Sequence, residues 1–122
     1  MASSSSSSSN SSANDRLTVI YDAYKAAAAR RAADLKQATT ADQVQRIMAN
    51  VDALEAAYLD AANKSLDATG PNIEACYQAA LAAEAEVTRA YVEGKALAAR
   101  IEAVSGVVTA VGNLITTAAK LA

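Results

Sequence analysis

A seven-residue repeat of apolar and small side chains runs through the second half of this chain without a change of phase. Fourteen successive positions fit the repeat. Its first positions hold Ile73, Ala80, Val87, Gly94, Ile101, Val108 and Ile115, and its fourth positions hold Cys76, Ala83, Ala90, Leu97, Val104, Val111 and Ala118. Such a repeat is typical of a helix that packs along a left-handed supercoiled seam. It predicts one helix over residues 72–120, about 70 Å long.

Glycines leave an alternative open in this segment. Gly94, Gly106 and Gly112 each cost about 1 kcal/mol inside a helix. The most favourable place for a break is Ser105-Gly106, and a fourth helix over residues 107–121 would then fold back. The residues around Gly112 also resemble a β-hairpin, but the continuous heptad phase argues against that reading.

Two further helices precede the repeat. The first is predicted over residues 15–37, with Asn14 as its N-cap. The second begins after Thr40, supported by Gln43 three residues later, and ends at Gly70, which a proline follows. Apolar residues recur on both helices at spacings of three and four. They are Leu17, Ile20, Tyr21, Tyr24, Ala28, Ala32 and Leu35 on the first helix, and Val44, Ile47, Met48, Val51, Leu54, Tyr58, Ala61 and Leu66 on the second.

These elements predict an all-α fold. It is an antiparallel bundle of three helices with a long C-terminal helix, or a four-helix bundle if the chain breaks near Ser105-Gly106. We expect residues 1–13, which are mostly serine, to form a disordered tail, and residues 14–122 to form a single Ala-rich bundle. The N-terminus shows no signal-peptide pattern. The sequence therefore predicts a cytoplasmic protein, or one exported by a route that needs no signal peptide.

The residue types that most catalytic chemistry needs are missing. The sequence has no histidine and one cysteine, Cys76, which removes imidazole-based triads and Cys-based zinc patterns. The densest acidic group, Glu84, Glu86 and Glu93, is typical of edge charges that select helix partners. The net charge of −2 is spread evenly, which argues against nucleic acid as a partner. We therefore expect a protein that is not an enzyme and that binds no cofactor or metal.

A length comparison predicts a partner for the C-terminal residues. The second helix is too short to cover a continuous third helix beyond about residue 98. The residues that follow are the most apolar in the chain, with no charge between Glu102 and Lys120. A broad apolar face left in water would be a liability. The predicted interaction residues are Ile101, Val104, Val107, Val108, Val111, Leu114, Ile115 and Leu121.

Three kinds of contact could bury this apolar face. The leading hypothesis is a non-catalytic helical module that self-associates or packs on a partner helix, and removal of all residues after Ala103 should then leave a folded monomer. The second is a fold-back into a four-helix bundle. The third is a lipid or other apolar surface, although the uncharged run of 17 residues reaches only the lower limit for a membrane span.

The layout also suggests one comparison. The serine tail, the helical hairpin and the long apolar C-terminal helix are similar in outline to bacterial type III needle and pilus subunits. The likeness implies a secreted or filament-forming helical subunit whose C-terminal helix packs against other copies.

Overall fold

The computed structural model describes residues 10–121, which form four α-helices and no strand. The helices are α1 (Ala13–Gln37), α2 (Ala41–Ala62), α3 (Pro71–Val92) and α4 (Leu97–Leu121). The all-α prediction is confirmed, and the number of helices matches the four-helix alternative. A continuous third helix is not found, so the three-helix arrangement is not confirmed. Most of the predicted tail lies outside the described residues.

The helices pack as two antiparallel hairpins, α1–α2 and α3–α4, which lie side by side. Connections of three and four residues close the two hairpins. α3 lies beside α1, where Glu74 pairs with Arg16, and α4 lies beside α2, where Glu102 pairs with Arg46. These neighbouring helices run parallel, because the paired residues lie near the N-terminal ends of their helices.

The connection between α2 and α3, residues 63–70, crosses one end of the bundle, because α2 and α3 lie diagonally opposite each other. Leu66 in this crossover is buried and closes the core at that end. Arg16 on α1 holds the crossover in place. Its guanidinium donates to the carbonyl oxygens of Leu66 at 2.5 Å and Ala68 at 2.6 Å, and it pairs with Glu74 of α3 at 2.8 Å.

α1 begins earlier than the sequence predicted. Ser12, not Asn14, is the N-cap, and Ser12 and Asp15 form a reciprocal capping box. Ser11 donates both its backbone N–H and its hydroxyl to Glu74. The folded part of the chain therefore includes the last residues of the predicted tail.

The ends of α2 and α3 also differ in part from prediction. Thr40 caps α2 as expected, because its hydroxyl accepts from the Gln43 N–H. α2 ends at Ala62, well before the predicted stop, and the crossover begins there. Gly70, with a φ of 124°, is the N-cap of α3 and places Pro71 in the first turn, where a missing N–H costs nothing.

The helix predicted to carry the seven-residue repeat is interrupted at Gly94. This residue has a φ of 66°, a left-handed value that favours glycine. Its N–H donates to the Tyr91 carbonyl, and the Lys95 N–H donates to the Ala90 carbonyl. These two bonds form a Schellman motif, which ends α3. α4 then continues through Gly106 without a break, so the predicted break lay about three turns too late.

Alanine at Gly94 and at Gly106 tests where the chain turns. A Cβ at either position meets no atom within 4 Å, so backbone preference alone decides the effect. We expect Gly94→Ala to lower the free energy of unfolding by about 1–2 kcal/mol, and Gly106→Ala to raise it by about 0.5–1 kcal/mol. Urea unfolding followed by circular dichroism measures both. The reverse order of stabilities would place the turn at Gly106.

The core contains side chains from all four helices. The largest of the almost completely buried side chains are Arg16, Ile20, Leu54, Ile73, Val107, Val111 and Leu114. A smaller apolar cluster lies at the end of the bundle opposite the crossover and consists of Ile47, Leu97 and Ile101. α1 turns a different face inward from the one predicted. Its buried residues are Arg16, Val19, Ile20, Ala23, Ala27 and Asp34.

Candidate functional site

Most of the residues predicted to bind a partner lie in the chain's own core. Ile101, Val104, Val107, Val111, Leu114 and Ile115 are buried, Val108 is half-buried, and Leu121 is exposed. The prediction assumed that these residues continue the third helix beyond the end of the second. Because the chain turns at Gly94, α4 packs against α2 and α3 instead. In the folded chain each of these six side chains is at most 9% exposed.

A polar cluster lies where α1, α3 and α4 meet, and we call it the Asp34 cluster. Asp34 is buried. Its Oδ2 accepts from the Tyr91 hydroxyl, and its Oδ1 accepts from Nη1 of Arg100 at 3.3 Å. Arg100 also donates to the side-chain oxygen of Gln37. The guanidinium groups of Arg30 and Arg100 lie 4.3 Å and 5.1 Å from the centroid of the Tyr91 ring, within cation–π range.

The geometry of the Asp34 cluster suits a structural role. Burial has the largest effect on the pKa of Tyr91, and the hydrogen bond to Asp34 has the next largest; both raise it above its ordinary value. The hydroxyl therefore stays a donor at neutral pH. Both oxygens of the carboxylate already have donors. The adjoining cavity of about 20 Å³ has room for about one water molecule. We interpret the cluster as a tie between three helices.

Glu84 on α3 is a second carboxyl group that is partly buried. Its Oε2 is buried and has no hydrogen-bond partner among the described residues. Burial raises the pKa of Glu84, Arg30 opposes the shift and Asp22 adds to it. An ionised carboxylate with an unsatisfied oxygen lowers the stability of the folded state.

We expect Glu84→Met to raise the free energy of unfolding at neutral pH by about 1 kcal/mol, because it removes a charge that folding desolvates and keeps helix propensity similar. A raised pKa in the folded state means that stability is lost as the pH rises through it. The gain should therefore shrink below the ordinary glutamate value of 4.5. Glu86→Met, at an exposed position of the same helix, is the control for urea unfolding. Equal changes in the free energy of unfolding for the two variants would contradict a destabilising effect of the Glu84 carboxylate.

Three tyrosines in contact mark the outer side of the α1–α2 hairpin. The ring centroids of Tyr21 and Tyr58 are 5.0 Å apart, and those of Tyr24 and Tyr58 are 6.1 Å apart. The Tyr24 hydroxyl donates to Glu55 at 3.5 Å. Leu17 joins Tyr21 and Tyr58 in lining an open groove. These contacts fix the register of the two helices, with Tyr21 level with Tyr58 and Tyr24 level with Glu55.

Other apolar side chains are exposed on the same side of the hairpin. α2 presents Val44, Met48 and Leu59 at spacings of four and eleven residues, which are close to whole helical turns. Leu59 is 54% exposed. Seven large apolar side chains are exposed among residues 10–121, and four of them lie here. We call the surface formed by Tyr21, Val44, Met48 and Leu59 the hairpin face.

Within residues 10–121, no group of three or more His, Cys, Asp or Glu side chains is arranged to hold a metal ion. α4 is long and apolar enough to cross a membrane by length and composition alone, and in the fold its apolar side chains contribute to the core.

Comparisons with protein-family models, curated proteins and solved structures find no match to this chain.

Proposed function

We propose that this chain is a non-catalytic helical interaction module that binds a helical partner through the hairpin face. The observation that carries the proposal is the concentration of exposed apolar side chains on the α1–α2 hairpin, while the apolar side of α4 is closed within the chain. Exposed apolar patches with polar rims are typical of protein–protein contacts. Tyrosine and methionine, two of the four residues here, are enriched in such contacts.

The shape of the hairpin face supports a helix as the partner. It follows the groove between two antiparallel helices, and amphipathic helices bind in apolar grooves of this kind. Ala32 on α1 is exposed and Ala28 is half-buried, and small side chains allow the backbone of a partner helix to approach closely. Lys25, Asp52 and Glu55 supply charges beside the apolar residues.

The polar groups of the interior support a non-catalytic role. Asp34 is held by Tyr91 and Arg100 within the bundle, and Glu84 adjoins a cavity of about 10 Å³. Neither place has room for an organic substrate. Asp34 therefore stabilises the bundle through its partners, and Glu84 is a local cost to stability.

A photo-reactive amino acid at Met48 tests the proposal in the cells that make the protein. We expect discrete crosslinked products from Met48, and none from the matched position Leu81 on α3, because these residues have similar exposures of 36% and 38%. Tyr21→Glu should reduce the yield from Met48 without changing the helical circular dichroism. No product from Met48, or equal products from both positions, would contradict binding at the hairpin face.

A further inference from the structure

We infer that the partner of the hairpin face is a second copy of this chain, bound around a two-fold axis that runs parallel to the helices. This inference rests on the proposed function and names its partner. A contact of this kind places the same surface of both copies face to face. It requires a surface that complements itself, and the hairpin face meets this requirement in its charges and in its register.

The charges of the hairpin are divided between its two helices. Lys25 lies on the outer side of α1, and its ammonium is 5.9 Å from the centroid of the Tyr21 ring. Asp52 and Glu55 are exposed on α2, on the same outer side of the hairpin. None of these three side chains forms an ion pair within residues 10–121. One helix therefore offers unpaired positive charge and the other unpaired negative charge.

A two-fold axis parallel to the helices places α1 of each copy opposite α2 of the other, at the height that these helices already share within one chain. The Tyr24–Glu55 hydrogen bond fixes that height. Lys25 is one residue beyond Tyr24, so it lies opposite Asp52 and Glu55 of the second copy. Both halves of the contact are then attractive, since the axis generates this pairing twice.

The same register brings the apolar residues into complementary positions. Tyr21 lies opposite Leu59 of the second copy, because Tyr21 is level with Tyr58 in its own chain. Met48 lies opposite Ala32 of the second copy, where the small side chain leaves room for the longer one.

The size of the hairpin face also suits a dimer. α2 has 22 residues and is about 33 Å long, and two helices about 10 Å apart form a face about 20 Å wide. The hairpin can therefore cover about 600 Å² on each copy, and the total of about 1,200 Å² reaches the range of specific interfaces.

Charge reversal tests this symmetric contact in the full chain. One variant carries Lys25→Glu, and the other carries Asp52→Lys and Glu55→Lys. Each variant alone places like charges opposite each other twice, so we expect the dissociation constant of its dimer to rise by about tenfold or more. An equal mixture restores both attractive pairings, and we expect heterodimers about as stable as the wild-type dimer. Sedimentation equilibrium measures all three samples, after circular dichroism has established equal helicity.

Two outcomes would overturn the inference. One is a wild-type mass that stays monomeric up to millimolar concentration, and the other is a mixture that associates no better than its separate components. A monomeric wild type that still gives a crosslink from Met48 to a different protein overturns the second copy as partner and leaves the proposed function standing. A monomeric wild type without any product from Met48 overturns both.

Discussion

Deletion of all residues after Ala103 is expected to unfold the protein. The deletion removes the buried side chains of Val104, Val107, Val111, Leu114 and Ile115. Each large apolar side chain contributes about 1.5–3 kcal/mol on burial, so their sum is about 10 kcal/mol, comparable with the whole stability of a domain of this size. Circular dichroism at 222 nm should show the loss of most helix in the shortened chain.

A point substitution separates the role of the core from the loss of chain length. Leu114 is completely buried and Leu121 is 46% exposed. We expect Leu114→Ala to lower the free energy of unfolding by about 3 kcal/mol, and Leu121→Ala by less than about 1 kcal/mol. A shortened chain that stays helical and monomeric would contradict the position of α4 in the core and would return its apolar face to the role of a docking surface.

Arg16→Met is expected to lower the free energy of unfolding by about 3 kcal/mol at neutral pH. The substitution leaves the partly buried Glu74 carboxylate without its cation, and such broken pairs are strongly destabilising. It also leaves the carbonyl oxygens of Leu66 and Ala68 without their donor. Arg46→Met is the control, because Arg46 forms its ion pair on the surface, and it should leave the urea midpoint almost unchanged. Equal midpoints for the two variants would contradict the role of Arg16 in holding the crossover.

The pH dependence of these variants gives an independent check. Burial alone would raise the pKa of Glu74, but the hydrogen bonds from Arg16 and Ser11 outweigh it and hold the pKa below its ordinary value. A lowered pKa stabilises the folded state above the ordinary value of 4.5, and this stabilisation is lost as the pH falls through the folded value. The difference between wild type and Arg16→Met should therefore be largest at neutral pH and shrink in acid.

The heptad repeat predicted most of the side chains that α3 and α4 bury, although not Val107 and Leu114, and it did not predict how many helices carry them. The positions of the repeat that are buried include Ile73, Ala80 and Val87 on α3, and Ile101, Val104 and Val111 on α4. Because the turn at Gly94 preserves the phase, a seam that folds back on itself has the same sequence pattern as one that continues. The left-handed backbone at Gly94 ends the helix. The same segment contains Gly106 and Gly112, and nothing in the local sequence indicates which of the three glycines marks the turn.

The buried face of α1 could not be predicted from apolar spacing, because two of its residues are charged. Arg16 and Asp34 are buried through pairing with Glu74 and Arg100, which lie 58 and 66 residues away in the chain. No local pattern reveals such distant partners. The large apolar residues of α1 therefore predicted a rotated face, which includes Tyr21 and Tyr24.

Apolar spacing also failed to predict the hairpin face. Val44 and Met48 fit the apolar spacing of α2, so the sequence placed them with Ile47 and Leu54 in the core. In the fold Ile47 and Leu54 are buried, whereas Val44 and Met48 are exposed. The apolar stripe of α2 is wider than the core needs, and only the positions of the other helices show which part of it remains uncovered.

The position of the interaction surface is tested most directly by solution mass, measured by light scattering across a concentration series for wild type, Leu59→Lys and Leu81→Lys. Both leucines are exposed, on α2 and α3 respectively, so neither lysine should disturb the core. We expect the mass of wild type and of Leu81→Lys to rise towards that of a dimer with concentration, and Leu59→Lys to stay monomeric. A wild type that stays monomeric, or a dimer that Leu81→Lys disrupts and Leu59→Lys does not, would contradict self-association through the hairpin face.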